Sequence, residues 1–264
     1  MSVPNYLIAT PIRFAAASYT LRVDVGGTTE DLTVGFTVGR NYWLSGDGQA
    51  DADGGVGGVG DLLRVVSTAL GTHTEITGGY AALNSSFLVE LGSLDGGDNI
   101  TIDWPNSTLD ESIFGFADAI VGPTADAVVG TLMPRGLWRP MKAATVDSRD
   151  RQPIVGGISA AVSGRTRVSR FATPLREREI EIARLHQSVT LAEYAPATEP
   201  YGTLEEAWIN SMSLGRPFRL YEDETVRTSS SYGLYRTKDL GEPYDRDPRY
   251  NVRWRANLSM RRVV

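Results

Sequence analysis

The last stretch of this chain constrains its fold most. Tyr250, Val252, Trp254, Ala256, Leu258 and Met260 alternate with Asn251, Arg253, Arg255, Asn257, Ser259 and Arg261. Period two over about a dozen residues reads as one long strand with an apolar face and a basic face. Such a strand buries its apolar side only inside a larger sheet, so a central strand of a barrel or sandwich is expected. Upstream, Thr203 and Glu206 form a capping box that opens a helix carrying Ala207, Trp208, Met212 and Leu214. Gly215 stops it and Pro217 follows. Phe218 to Tyr221 and Tyr232 to Thr237 read as short strands. Trp208, Phe218, Trp254 and Leu258 are the expected core of this region, with the two tryptophans close together.

Before that region, Gly164 to Ala172 and Arg176 to Leu185 read as the arms of a hairpin turning at Thr173-Pro174. Residues 134–157, with several prolines and charges, read as a linker. The start, residues 1–13, reads as an irregular arm. Phe14 to Val25 and Leu32 to Val38 alternate about Gly26-Gly27, which predicts a hairpin, and Tyr42-Trp43-Leu44 extends it. After a Gly- and Asp-rich loop, Leu62, Leu63, Val66, Ala69 and Leu70 have helical spacing that ends at Gly71. Phe87 to Leu91 and Asn99 to Trp104 predict two more strands. Ser107 or Thr108 is expected to cap a short helix with Leu109, Ile113 and Phe116. The expected class is α+β: a small α+β domain over residues 1–133, a linker over 134–157, and a mainly antiparallel β domain with one flanking helix over 158–264.

Charge is split along the chain. Residues 1–133 hold 4 Lys and Arg against 16 Asp and Glu; residues 134–264 hold 22 against 16. Halves of opposite sign suit a chain that associates with copies of itself or stacks head to tail. The chain has 0 cysteines, which excludes disulfides, thiolate metal sites and cysteine nucleophiles. No apolar run is long enough for a membrane helix, and Met1 to Phe14 lacks the pattern of a secretion signal.

Motifs for chemistry are weak. Asp51-Ala52-Asp53-Gly54 fits a calcium loop only in part, because Gln49 and Gly60 stand where strong ligands are required. The following glycines lack the Lys-Ser/Thr of a phosphate loop. His73 and His186 lie in different halves, and no Gly-x-Ser-x-Gly elbow occurs. No catalytic, metal or cofactor residue is therefore assigned. The arginines between Arg149 and Arg184 are interleaved with acids, and Phe171 is the only aromatic among them. That pattern favours ion pairing between subunits over stacked nucleic-acid bases. Arg165, Arg167, Arg176, Arg178, Glu179, Glu181 and Arg184 are the candidate subunit contacts.

Three stretches resemble structural proteins of tailed bacteriophages. They are Tyr42 to Gly48 with the helix through Leu62 and Leu70, then Thr108-Leu109-Asp110 with Ile113 to Phe116, then Ser163 to Arg167 with Gly215 to Tyr221. The resemblance implies a split β-barrel like that of tail-tube and distal tail proteins, assembly as rings, and a place in the virion. It implies a non-enzymatic tail or baseplate component whose partners are copies of itself and neighbouring tail proteins, with no membrane and no sequence-specific nucleic acid. The rival expectation is a carbohydrate- or host-receptor-binding β module, with Trp43, Trp104 and Trp138 as stacking side chains.

Overall fold

The structure, a computed structural model, describes residues 6–44, 59–94, 99–117, 120–122, 126–140, 145–151, 156–160, 166–170, 177–195, 202–222, 232–239, 241–246 and 253–263. The first half contains β1 (Leu7–Ala9), β2 (Ser18–Val25), β3 (Thr28–Gly35), β4 (Asn41–Trp43), β5 (Val59–Asp61) and α1 (Leu62–Leu70). It continues through β6 (Gly79–Leu83), β7 (Val89–Ser93), β8 (Ile100–Asp103), α2 (Glu111–Phe114), β9 (Ile120–Val121) and β10 (Ala127–Val129). The second half contains β11 (Leu137–Trp138), β12 (Thr145–Arg151), β13 (Gly156–Ala160), β14 (Thr166–Arg170), β15 (Glu177–His186), α3 (Gln187–Thr190) and α4 (Leu204–Asn210). It ends with β16 (Phe218–Tyr221), β17 (Tyr232–Thr237), β18 (Tyr244–Arg246) and β19 (Arg253–Arg262). The class is α+β and mostly antiparallel, with one sheet curled as a half-barrel.

That sheet runs β11-β1-β16-β17-β19-β15-β12, with β18 also on β19. As the alternation predicts, β19 is internal, and Ala256, Leu258 and Met260 are buried. The described apolar side chains gather in two clusters, and the strands β11, β1, β16 and β17 stand between them. Leu7 and Ala9 join the first cluster, while Tyr6 and Ile8 join the second. Leu137 and Tyr221 face the first, Trp138, Phe218 and Leu220 the second. The register agrees: Leu7 lies opposite Tyr221, and Ile8 opposite both Leu220 and Trp138. Strands β19 and β15 contribute to the second cluster alone and turn Glu181, Asn257 and Arg261 to solvent.

Helix α4 fills the concave side of the curl. Leu204, Ala207 and Trp208 are buried, and the Thr203 hydroxyl accepts from the Glu206 amide at 3.3 Å, which satisfies one orphan donor of the first turn. The helix ends at Asn210; a single 3-10 turn, Met212–Leu214, then runs to Gly215 in the left-handed region. Trp254 is half-buried at the edge of the same cluster as Trp208. In the first half, α1 is capped by Asp61, whose carboxylate accepts from the Leu63 amide at 3.0 Å. It packs against the four-stranded sheet β3-β2-β8-β9 and the three-stranded sheet β10-β7-β6.

Several expectations are corrected. Within the expected irregular arm of residues 1–13, Leu7–Ala9 is an internal strand. The stretch 134–157 carries β11, β12 and the start of β13, so backbone pairing and not a free connection occupies much of it. The two expected hairpin arms, of which 166–170 and 177–185 are described, do not pair with each other, and Thr173-Pro174 lies outside the described residues. Instead β15 pairs with β12, Arg151 opposite Glu177, and β14 pairs with β13, Gly156 opposite Arg170, in a separate two-stranded sheet. The two strands expected at 87–91 and 99–104 do form, as β7 and β8, in different sheets. Asp110, not Ser107 or Thr108, caps α2; those hydroxyls accept instead from the Arg22 and Thr20 amides of β2.

Both clusters need β1, so they should unfold together. Leu7→Ala and Ile8→Ala, though they face different clusters, should each cost about 2–5 kcal/mol in a denaturant titration. Tryptophan fluorescence and far-ultraviolet circular dichroism should still report one coincident transition in both variants. Two separated transitions would show that β1 does not couple the clusters.

Candidate functional site

A groove of about 480 Å³ opens where the chain leaving β1, the approach to β11 and the outer side of α4 meet. Its walls carry three guanidinium groups, from Arg13, Arg135 and Arg216, together with Glu206 and Asn210. Position 136 must be glycine: its φ is +83°, and an added Cβ would stand 2.8 Å from the Thr10 carbonyl oxygen. That close approach lets the Thr10 amide donate to the Gly136 carbonyl at 2.7 Å and fixes the groove floor.

Each arginine is held differently. Arg13 Nε donates to Asn41 Oδ1 at 2.7 Å. Arg216 Nη1 donates to the Asn210 carbonyl at 3.1 Å. Arg135 stands 3.7 Å from Asp110. Among the described residues neither Arg13 nor Arg216 forms an ion pair with a carboxylate. Partial burial, and then the like charge of Arg13, hold the Arg216 guanidinium below its ordinary pKa. Glu206 is occupied by the Asn210 side-chain amide. Guanidinium groups without a carboxylate partner are chemically suited to pair with an oxyanion.

A second basic surface lies at the far end of β17 and β19. Arg236, Lys238, Arg261 and Arg262 border an open cavity of about 410 Å³. Glu177, only 13% exposed, is held by Lys238 at 3.0 Å and Arg261 at 3.3 Å.

The residues expected at subunit contacts are dispersed. Arg165 and Arg176 lie outside the described residues. Arg167 is in β14 opposite Ser159. Arg178 is buried and committed within the chain, paired with Glu222 and donating to the Tyr6 hydroxyl at 3.3 Å. Burial is the largest single influence and opposes its charge, but the hydrogen bonds to Glu222 and Tyr235 and the attraction of Tyr6 and Glu222 together outweigh it and raise its pKa. Glu179 lies opposite Arg149 and Ser259; Glu181, exposed, lies opposite Asp147 and Asn257. Strand β15 is paired on both sides, by β12 and β19, so its backbone has no free edge to offer a second subunit. Arg184 sits at φ +62° in a bulge that lets Leu185 follow Ile182 into the core.

Trp43, Trp104 and Trp138 are all buried, so none offers a face for a sugar ring. His73 is buried and bonded through both ring nitrogens, to Glu75 N and Thr28 O. His186 caps α3. Among the described residues no group of three His, Cys, Asp or Glu could hold a metal ion, and no helix is long and apolar enough to cross a membrane. The Asp47 to Asp53 loop lies outside them.

The groove arginines were not singled out from sequence. One signal was present: residues 1–133 hold only 4 cations, and Arg13 is one of them. No family model, curated protein or solved structure matches the chain.

Lys238 and Arg261 hold the Glu177 carboxyl below its usual value of 4.5. A lowered carboxylate contributes stability above its unfolded value, and that stability is lost as pH falls through the folded value. Wild type should therefore lose more stability than Glu177→Gln between roughly pH 5 and pH 3, measured by thermal melts across that range. Parallel losses in the two proteins would show that the Lys238–Glu177–Arg261 cluster contributes nothing.

Proposed function

We propose that this protein is a non-enzymatic structural subunit of a tailed-phage virion, in the tail or baseplate, which works by ring-type self-assembly. Its cellular place is then the virion, and its partners are its own copies and neighbouring tail proteins. The observation that carries the reading is the unclosed half-barrel. The eight-stranded sheet ends at β12, whose outer backbone edge has no strand beside it among the described residues. Open edges pair with other chains unless they are blocked. The β12 sequence, Thr-Val-Asp-Ser-Arg-Asp-Arg, carries charges of both signs, which select a complementary neighbour over an indiscriminate one. A heterologous contact of this kind closes into a ring when its rotation permits.

The separate two-stranded sheet of β13 and β14 gives the same reading a second element, because neither strand has a further partner among the described residues. The carbohydrate-binding alternative rested on three tryptophans that are buried, and it keeps no observation in its favour.

The protein should form closed rings in negative-stain images at high concentration, and sedimentation velocity should show a discrete oligomer. Val146→Pro, which introduces a ring on the edge strand, should reduce that oligomer while circular dichroism stays native. A wild type that remains monomeric at every concentration, with no such protein in purified particles by mass spectrometry, would overturn the reading.

A further inference from the structure

We infer that the Arg13–Arg216 groove is one half of a subunit contact, and that its occupant is the acidic tip of the β2–β3 hairpin in a second copy of this chain. The inference rests on the self-assembly reading above and names the surfaces that meet. Arg13 and Arg216 face one groove without a carboxylate partner among the described residues. Two guanidinium groups that repel each other are stabilised by an anion placed between them, and bidentate carboxylates fit that fork.

The tip supplies carboxylates in the same unbalanced way. Asp24, Glu30, Asp31 and, beside them, Glu75 cluster where β2 turns into β3 and the loop after α1 touches it. Arg22, 3.4 Å from Asp31, is the one cation paired with any of them among the described residues. Asp31 and Glu75 are exposed. Asp24 is used internally, accepting from Gly27 N and the Thr29 hydroxyl, and Glu30 accepts from Thr74. Glu75, and Asp31 beyond its solvent-exposed 3.4 Å pair with Arg22, are therefore the carboxylates offered to a neighbour.

The groove and tip of one chain cannot meet. Strand β3 leads from the tip to Phe36, which stacks on Phe14 at 3.7 Å, next to Arg13. Six residues of extended chain separate Glu30 from Phe36, about 20 Å. Opposite charges fixed at opposite ends of a rigid hairpin are neutralised head to tail, by the next copy. Such a contact is heterologous, the type that builds rings and stacks.

The test uses the full chain in sedimentation velocity at low and high salt. Wild type should associate, and salt should weaken it. Arg13→Glu, and the double variant Arg13→Glu/Arg216→Glu, should weaken self-association by about a hundredfold. Asp31→Lys/Glu75→Lys should do the same. Arg13 is exposed, so its single variant keeps the test valid if the double variant is misfolded by circular dichroism. Mixing the groove-reversed and tip-reversed proteins should restore association, because each supplies the complement the other lost. If Arg13→Glu associates as wild type does, the groove is not the contact, while the assembly reading stands. If both variants fail alone and their mixture stays monomeric, the groove and tip are not partners. If wild type never associates, the assembly reading falls first and this inference with it.

Discussion

Everything in this fold depends on a strand of three residues. Leu7, Ile8 and Ala9 are buried on both faces because β1 stands between two apolar cores. A half-buried strand stabilises one core with alternate residues; β1 contributes every residue. Burying Leu or Ile is worth roughly 1.5–3 kcal/mol each, so removing β1 removes contacts from both cores together. Its neighbours inherit the same duty. All four residues of β16 are buried, and Trp138 on β11 donates its indole N–H to the Val189 carbonyl at 2.7 Å. The two halves of the chain thus meet across a shared sheet, not at a loose junction.

Arg219 shows what a two-sided wall does to a polar residue. In Phe-Arg-Leu-Tyr the arginine occupies the position that would point to water in a one-sided strand. Here that face is the first core, and Arg219 is 1% exposed. Its guanidinium lies 4.5 Å from the centre of the Trp43 ring and 4.4 Å from that of Tyr232. Aromatic faces stabilise a desolvated guanidinium, which an aliphatic surround would not. Trp43 serves that contact from within the core, which is also why it cannot serve a ligand.

The parts of the fold legible in sequence are those with one wet face. The β2–β3 hairpin, α1, α4 and β19 each show a period that matches their structure, because each has a solvent side to be polar on. Strand β1 has none, so Tyr6 to Ala9 reads as a short apolar run without period, as strands buried on both faces do. Strand β15 misleads for a different reason. Its alternation of Glu with Ile correctly reports one wet face, but alternation carries nothing about which strands lie on either side. Those are β12 and β19, and β19 is fixed by pairing across some 80 residues, Glu177 with Arg261 for instance. The candidate groove was hidden by the same long range. Arg13, Arg135 and Arg216 are far apart in the chain and converge only after β1 and β11 pair and α4 packs beside them.

The wall also explains why charge can be directional in this molecule. Apolar surface is spent inside, between and around two cores, so what remains outside is edge, end and wet face. A net charge spread evenly over such a surface would only repel other copies. Here Asp24, Glu30, Asp31 and Glu75 cluster at the β2–β3 turn, and cations line the groove beside α4 and the far end of β17 and β19. A subunit polarised in this way is repelled when two copies approach like end to like end and attracted when they approach head to tail. Repulsion in the wrong arrangements is as much a source of specificity as attraction in the right one. On the assembly proposed above, an uneven distribution of this kind would set a defined direction of approach.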